Sequence, residues 1–299
     1  MDVIVNDSLV IDVKNKDTQE VVQVDLRTTE GKMALAEQTT KEPQLKTNVV
    51  HRFGPGIYIR EAWYSAGTVI IGLEHLLPHT NILLSGQINV INHNEEVITL
   101  VAPYIFTAKP GAKMGYAVTD VIWQNIYATN ERDIYKLEQE LYNIPQWWKL
   151  QQEEQLKIKS LSHEEDRKDF VEAITEAGWT VEDVQTISEY RGDCIDFPDG
   201  SYCFAPDKSP IHGMGLFCSA DIPKGHIVAP MRVQGKRTPA GYLVNHSKTP
   251  NCIAVRSSND DLLLVTTRPV TGMVGGNLGE EFTLDYRQVM KENNLWKGK

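Results

Sequence analysis

The apolar positions of this chain change their period along its length and divide it into four stretches. Residues 1–50 open with short apolar runs at Val3–Val5, Leu9–Ile11 and Val21–Leu26, and they turn polar towards Pro43. Apolar positions that alternate with a period of two are typical of half-buried strands. We therefore predict that residues 1–50 form a loose N-terminal arm with short edge strands.

Residues 51–130 consist of short β-branched and aromatic runs that are separated by turn residues. The runs are Ile57–Ile59, Thr68–Ile71, Asn81–Leu84, Gln87–Ile91, Glu96–Val101 and Val121–Tyr127. Their regular spacing predicts an antiparallel β-sandwich or barrel, with a hairpin turn at residues 92–94.

Helical spacing replaces this pattern in residues 131–190. Ile134, Leu137 and Leu141 share one helix face, and Pro145 interrupts that helix. A second helix is predicted from a capping box of Ser162 and Glu165 to the region of Gly178, and a third begins at Thr180. Residues 191–299 return to strands and turns, which makes the chain mainly β with an α-helical connector.

The connector also carries most of the excess charge. Residues 131–190 contain 15 acidic and 7 basic side chains, whereas the whole chain has a net charge of −10. We interpret these acidic residues as a solvated helix face. No basic stripe with interleaved aromatic residues occurs in the sequence, so we predict that nucleic acid is not a partner.

Composition places the chain among globular proteins with more than one domain. It has 299 residues, of which 41% are hydrophobic and 23% charged. No apolar run approaches the roughly 20 residues that span a bilayer, and no signal peptide is evident, so we expect a cytoplasmic protein without a membrane partner. The four cysteines form no Cys-x-x-Cys pair and are interpreted as buried thiols.

Residues 67–86, with His75 and His79, resemble the first motif of a cupin barrel, and Pro110-Gly111 resembles the start of the second. Metal-binding cupins use two His and a Glu from the first motif and a His from the second. This sequence has Gly115-Tyr116 where that second His is expected. We therefore predict a cupin-like barrel over residues 51–130 that holds no metal, and the alternative of a metal-dependent cupin enzyme depends on further ligands for His75 and His79.

Three segments near the C-terminus, in this order, resemble the SET-domain protein-lysine methyltransferases. They are Gly213-Met214-Gly215-Leu216-Phe217, then Asn245-His246-Ser247 with Pro250-Asn251, and then Gly279-Glu280-Glu281-Phe282-Thr283-Leu284-Asp285-Tyr286. The resemblance implies a small SET-like β-fold over residues 191–299 and an S-adenosylmethionine cofactor.

The same resemblance implies roles for individual residues. Gly213, Met214, Gly215 and Leu216 would contact the cofactor through their main chain, and Asn245 and His246 would hold its ends. Tyr286 would be the catalytic residue, because it would orient the substrate amine. Trp296 would cover the adenine by stacking, although a tryptophan that simply packs on the domain is the alternative.

Two departures from the family pattern weaken the prediction of the activity more than the prediction of the fold. Only 29 residues lie between Gly215 and Asn245, which leaves little room for the insert that forms one wall of the substrate groove. The 13 residues after Tyr286 contain no cysteine, so the zinc-binding tail of many histone-directed members is absent.

Two functions follow from these patterns. The first is an S-adenosylmethionine-dependent methyltransferase that acts on a protein with an accessible lysine. The alternative is a non-enzymatic structural or assembly protein, of the kind that bacteriophages encode, in which the cupin-like barrel forms a homo-oligomer and the SET-like region is a docking module. In that case the protein would lie in the host cytoplasm or the virion.

Overall fold

The first described residues form an antiparallel pair of strands, which a helix follows. The structure is a computed structural model that describes residues 9–14, 21–92, 94–257, 259 and 261–298. Strands β1 (Val10–Lys14) and β2 (Val21–Asp25) pair antiparallel, and helix α1 (Thr29–Thr39) follows. The predicted run at Val3–Val5 and position 93 of the predicted hairpin turn lie outside the described residues.

Helix α1 corrects the prediction of a loose arm. The Thr28 hydroxyl accepts a hydrogen bond from the Gly31 N–H at 2.9 Å, so the first turn is capped. Leu35 is only 1% exposed and packs in a small cluster with Val24 and Leu26. Leu35 contacts residues of another chain segment, and a pattern of alternating apolar positions within one segment cannot predict such a contact.

In the described part of residues 46–128 ten strands follow, and most of them form two antiparallel sheets. They are β3 (Lys46–Gly54), β4 (Ile57–Tyr64), β5 (Val69–Ile71), β6 (Glu74–His75), β7 (His79–Ser85), β8 (Gln87–Ile91), β9 (Val97–Val101), β10 (Tyr104–Ala108), β11 (Met114–Ala117) and β12 (Val121–Ala128).

The order of these strands is that of a jelly roll. One sheet has the order β10-β7-β12-β4-β3 and the other β5-β11-β8-β9. Leu83 and Val121 of the first sheet pack against Ile88, Leu100 and Ala117 of the second. Eight strands, β4, β5 and β7–β12, thus divide between two packed sheets as in cupins and other jelly rolls. The prediction of a mainly β chain with a cupin-like fold is confirmed.

The connector contains helices α2 (Ile134–Leu141), α3 (Gln146–Leu161), α4 (Glu164–Glu176) and α5 (Val181–Glu189), with the short strand β13 (Tyr142–Asn143) between the first two. Ile134, Leu137 and Leu141 are buried, as their spacing predicted. Thr180 caps α5 in a capping box with Asp183, which confirms the predicted start of that helix.

The capping box predicted at Ser162 is wrong. Helix α3 continues to Leu161, and Ser162 ends it with helical dihedral angles. The Ser162 hydroxyl donates to the Lys159 carbonyl at 2.6 Å, so it satisfies the end of α3 and does not begin α4.

The C-terminal region contains β14 (Gly200–Tyr202), β15 (Phe204–Lys208), β16 (Met214–Cys218), β17 (Ile227–Val233), β18 (Lys236–Arg237), α6 (Ala240–Leu243), β19 (Asn245–His246), β20 (Cys252–Arg256), β21 (Leu262–Thr266), β22 (Met273–Val274), β23 (Thr283–Leu284) and α7 (Tyr286–Glu292). A four-stranded sheet has the order β18-β17-β21-β20, and β15 pairs with β16.

This region joins the jelly roll through a common core. Strands β14 and β22 both pair with β3, so they extend the first sheet. Phe53, Tyr58 and Tyr127 of the jelly roll belong to the same buried cluster as Phe204 and Leu264. The C-terminal region therefore depends on the jelly roll for part of its packing.

All four cysteines are thiols. Cys218 and Cys252 are fully buried, and Cys194 and Cys203 are half-buried. No helix in the described part of the chain is long and apolar enough to cross a membrane.

Candidate functional site

The three C-terminal segments that resemble SET motifs meet at a pair of parallel strands. Strand β19 pairs with β23, so that Asn245 lies beside Thr283 and His246 beside Leu284. The Phe282 N–H donates to the Leu216 carbonyl at 2.8 Å, which ties β16 to the same place. Residues far apart in the sequence thus form one cluster.

Asn251 secures this arrangement from the core side. Its side chain donates to the Glu281 carbonyl at 2.8 Å and accepts from the Thr283 N–H at 2.9 Å. Asn251 is 2% exposed, so both bonds are made away from solvent. The Pro-Asn part of the second segment therefore holds the third segment in position.

The side chain of Asn245 links all three segments. Its amide nitrogen lies 3.1 Å from the carbonyl oxygens of His212 and Met214 and 2.7 Å from Oε1 of Glu281. These acceptors share the two N–H groups of one amide. The sequence predicted Asn245 as a cofactor residue, and the structure places it against the backbone of the predicted glycine segment.

Glu281 lies at the centre of the cluster, although the sequence analysis assigned it no role. The Ser209 hydroxyl lies 2.9 Å and 2.8 Å from its two carboxylate oxygens. Burial raises the pKa of the Glu281 carboxyl, and the hydrogen bonds from Asn245 and Ser209 oppose that rise. Its position as the second glutamate of the third segment was the signal that could have identified it.

Gly215 is needed for this packing. A Cβ atom at Gly215 would lie 2.3 Å from Oε1 of Glu281, well inside van der Waals contact. At Gly213 the backbone has a φ of +56°, and a Cβ there would meet no described atom within 4 Å. The two glycines therefore have different roles. Gly215 leaves room for the Glu281 carboxylate, and Gly213 borders open space next to β16.

Tyr286 is the first residue of α7 and packs beneath α4. Its hydroxyl donates to the Val244 carbonyl at 3.1 Å, next to Asn245 in the chain. Its ring lies edge-on to Phe170, with centroids 5.7 Å apart. Burial raises the pKa of Tyr286 to about 12, so the phenol is protonated at physiological pH and acts as a donor.

Two acids of α4 dock on this cluster, which corrects, for these two residues, the prediction that the connector's acids are solvated. Asp166 accepts from the Ser247 hydroxyl and from the Lys248 N–H, both at 2.8 Å. Asp169 accepts from Nε2 of His246 at 3.0 Å. The side chains of Asp166 and Asp169 are only 14% and 13% exposed. The charge pattern of the sequence did not indicate these contacts, because the partners of Asp166 and Asp169 lie about 80 residues further along the chain.

Trp296 lies in an apolar cluster between the C-terminal tail and the connector. It packs with Ile174, Ala177 and Met290, and Tyr286 borders the same cluster. The ammonium of Lys291 lies 4.7 Å from the Trp296 ring centroid. The structure thus places Trp296 against α4 and α7, whereas the other predicted cofactor residues lie at β16 and β19.

A second polar cluster lies in the jelly roll around the two predicted histidines. The rings of His75 and His79 stack with centroids 4.1 Å apart, and Nδ1 of His75 lies 2.6 Å from the Tyr127 hydroxyl. Nδ1 of His79 donates to the Leu77 carbonyl at 3.1 Å, so its Nε2 carries a lone pair. That buried Nε2 atom has no hydrogen-bond partner among the described residues.

Burial keeps both imidazoles neutral, because it lowers the pKa of His79 and lowers the pKa of His75 to about 3. The segment that resembles the second cupin motif adds no ligand: Gly111 pairs with His75 through its backbone, and Tyr116 is 41% exposed. Within the described ranges, no three His, Cys, Asp or Glu side chains are grouped so as to hold a metal ion. Two neutral histidines alone do not fit a cupin metal centre.

Comparisons with known proteins find only solved structures that are similar to a part of this chain. No family model matches the chain, and no curated protein matches it. A solved HTH_3 family transcriptional regulator from Vibrio cholerae has 21% identity over 29% of this chain and 53% of its own, with a TM-score of 0.25. An acetylacetone dioxygenase from Acinetobacter johnsonii has 14% identity over 29% and 64%, with the same TM-score.

A cupin superfamily protein from Desulfitobacterium hafniense has 11% identity over 32% of this chain and 88% of its own, with a TM-score of 0.24. The chain therefore spans about half the length of the transcriptional regulator and less than two thirds of the dioxygenase. At these TM-scores the cupin-like assignment depends on the strand order of the two sheets.

Proposed function

We propose that the cluster of β16, Asn245, His246 and Tyr286 is the site of an S-adenosylmethionine-dependent methyltransferase that acts on a protein lysine. The observation that carries this proposal is the convergence of the three segments around the β19–β23 pair. Beside that pair, the Tyr286 hydroxyl is held on the Val244 carbonyl. The order of the three motifs makes a chance resemblance improbable, and their convergence next to the Tyr286 hydroxyl is a further reason to test the chemistry.

Open space beside Gly213 leaves room for a ligand next to the main chain of β16. The carbonyls of His212 and Met214 and the carboxylate of Glu281 accept from the Asn245 amide, which fixes that side chain against the same main chain. The main chain of Met214, Gly215 and Leu216 would hold S-adenosylmethionine together with Asn245 and His246. That cofactor would supply an activated methyl group on a positively charged sulfur.

Tyr286 would orient the substrate amine through its neutral hydroxyl, since a phenol with a pKa of about 12 is a poor base at physiological pH. Phe170 and the apolar cluster under α4 exclude water from one side of this tyrosine. An apolar wall lowers the pKa of a lysine amine placed against it, which frees the nitrogen lone pair for reaction.

Calorimetric titration of the full chain with S-adenosylmethionine tests the proposal, followed by transfer of labelled methyl groups to candidate proteins. Tyr286→Phe should keep cofactor affinity and lower kcat by about 100-fold. Tyr116→Phe, which removes a hydroxyl from an exposed residue of the jelly roll, is the matched control and should leave both unchanged. If the parent chain binds no S-adenosylmethionine, the proposal is wrong.

We propose as a second candidate that the jelly roll forms a homo-oligomer, as expected of an assembly protein. The outer face of its first sheet exposes four large apolar side chains next to the Arg52–Glu61 ion pair: Ile57, Trp63, Leu84 and Ile105 are 44%, 46%, 49% and 65% exposed. Strand β10 ends the order of that sheet within the described chain. A second copy of β10 can pair with it across a twofold axis and cover Ile105.

Sedimentation velocity of the parent and of Ile105→Lys distinguishes the states. A dimer that becomes a monomer in this variant supports the oligomer, and Lys109→Ala, beyond the end of β10, is a control that should remain dimeric. If the parent chain is a monomer at micromolar concentration, the proposed homo-oligomer is excluded. The two proposals are compatible, because the outer sheet face and the Tyr286 cluster involve different residues.

A further inference from the structure

His246 is held at both ring nitrogens by different parts of the chain. The Tyr286 N–H donates to Nδ1 at 3.1 Å, and Nε2 lies 3.0 Å from Oδ2 of Asp169. A nitrogen that accepts from a backbone N–H carries no hydrogen, so the proton of the neutral ring is on Nε2 and points at Asp169. His246 is 2% exposed, which leaves water no access to exchange these partners.

Asp169 belongs to the connector and is itself fixed. Its two carboxylate oxygens accept from the Arg287 guanidinium at 3.0 Å and 3.2 Å. Arg287 also bonds both carboxylate oxygens of Glu176, about two helical turns further along α4. The hydrogen bond from Arg287 is the main cause that lowers the pKa of Asp169, so the carboxylate is ionised and remains an acceptor.

The backbone N–H of Tyr286 lies in the first turn of α7, where no intrahelical acceptor exists. The Asp285 side chain caps the N–H of Arg287, the residue after Tyr286, from which it accepts a hydrogen bond at 2.9 Å. Nδ1 of His246 provides the acceptor for Tyr286. With the opposite tautomer, two N–H groups would face each other, and the first residue of α7 would have to move.

We infer that Asp169 of α4 is a positioning residue for Tyr286, acting through His246. In this view the connector helix is part of the methyltransferase site and not a spacer between two folded regions. The inference rests on the proposed function and deepens it. It assigns the orientation of Tyr286, the proposed catalytic residue, to Asp169, which lies outside residues 191–299, the stretch that resembles the SET fold. Arg287 and Glu176 complete the chain of contacts.

The experiment combines a kinetic measurement with a spectroscopic one that needs no methyl transfer. In the first, Asp169→Ala should lower kcat by about 10- to 100-fold with little change in KM, since it disturbs alignment and not binding. Glu172→Ala removes a carboxylate from an exposed position of the same helix and should match the parent. Asp169→Asn keeps an acceptor for Nε2 and should recover most of kcat.

A double-mutant cycle distinguishes positioning from general stability. If Asp169 acts through the Tyr286 hydroxyl, Asp169→Ala should cost little further activity in the Tyr286→Phe background. An equal loss in both backgrounds would show that Asp169 only stabilises the fold, and that would overturn the inference. A kcat of Asp169→Ala within twofold of the parent would overturn it as well.

The second measurement is nitrogen NMR of the imidazoles in the full chain, with His246→Gln used to assign the signal. The parent should show His246 with its proton on Nε2, and Asp169→Ala should show a mixture of tautomers. The opposite tautomer in the parent overturns the inference even if every variant at Asp169 unfolds. If the tautomer depends on Asp169 but the parent transfers no methyl group, the positioning contact stands and the proposed function fails.

Discussion

The two histidine clusters of this chain were suggested by similar sequence evidence, and the structure gives them opposite characters. In the jelly roll, His75 and His79 stack on one another, and one buried nitrogen is without a partner in the described structure. In the C-terminal cluster, His246 has a partner at each nitrogen, one from α7 and one from α4. The difference shows that a resemblance to a motif does not tell whether a buried histidine has partners at both ring nitrogens, because those partners come from elements that are distant in the chain.

The same substitution in both clusters tests this comparison with the largest expected effect. His246→Phe should lower the free energy of unfolding by about 3 kcal/mol, because it removes two hydrogen bonds and leaves the buried Tyr286 N–H without an acceptor. His79→Phe should change it by no more than about 1 kcal/mol, since the stacking remains and only the bond to Leu77 is lost. Urea denaturation measures both, and equal losses would contradict the comparison.

Gly215→Ala tests how tightly the C-terminal cluster is packed. The new Cβ would displace the Glu281 carboxylate from Asn245 and Ser209, and we expect a loss of about 2 kcal/mol in the free energy of unfolding. Gly54→Ala, where a Cβ meets no described atom within 4 Å, should stay within about 0.5 kcal/mol of the parent. If both variants unfold at the same urea concentration, the Glu281 side chain can move away from the new Cβ without loss of stability, and the cluster is packed less tightly than the distances indicate.

Acid should weaken the jelly roll before it weakens the contacts of α4. Burial lowers the pKa of His51 and of His75 to about 3, so below about pH 6 the unfolded chain binds protons that the folded chain excludes. Stability should therefore fall with falling pH, by about 1.4 kcal/mol per pH unit for each histidine. The lowered pKa of Asp169 acts only below its unfolded value of 3.8.

Urea midpoints at pH 7, 6 and 5 separate the two contributions. His75→Phe should reduce the slope of stability against pH by one proton, whereas Asp169→Asn should leave the slope unchanged over this range. Parallel curves for His75→Phe and the parent would mean that His75 is already charged in the folded state, contrary to its burial.

The smallest effect is expected at the exposed ion pair on α4. Lys168 bonds Glu164 at 2.9 Å, but both side chains are more than half exposed. Lys168→Ala should leave the thermal midpoint unchanged, because water competes for such pairs. Asp169→Ala, one residue further, should lower it. A similar shift in both variants would show that the Asp169 contact adds no more to stability than an exposed ion pair does.

Local signals in the sequence predicted local structure well. The spacing of Ile134, Leu137 and Leu141 predicted α2 and its buried face, and Thr180 predicted the start of α5. Ser162 misled because a hydroxyl next to a helix end can satisfy either neighbouring helix, and here it bonds the carbonyl of Lys159. Helix α1 was missed because its stability comes from the contact of Leu35 with the β1–β2 pair.

The candidate site was predicted in part. Order and composition of the three C-terminal segments indicated the residues that the structure brings together at β16, β19 and Tyr286. They did not indicate Ser209 or Asp169, which lie outside the segments and reach the cluster through tertiary contacts.

The sequence by itself determined most strands of the jelly roll and its class, helices α2 and α5, and the residue types of the C-terminal cluster, because these depend on periodicity and on short motifs. Only the tertiary structure decided which acids are solvated and which histidine has partners. A carboxylate on an amphipathic helix looks the same in sequence whether it faces water or a buried imidazole. The choice at Asp169 depends on His246, 77 residues away in the chain, and on the free energy gained when that contact forms.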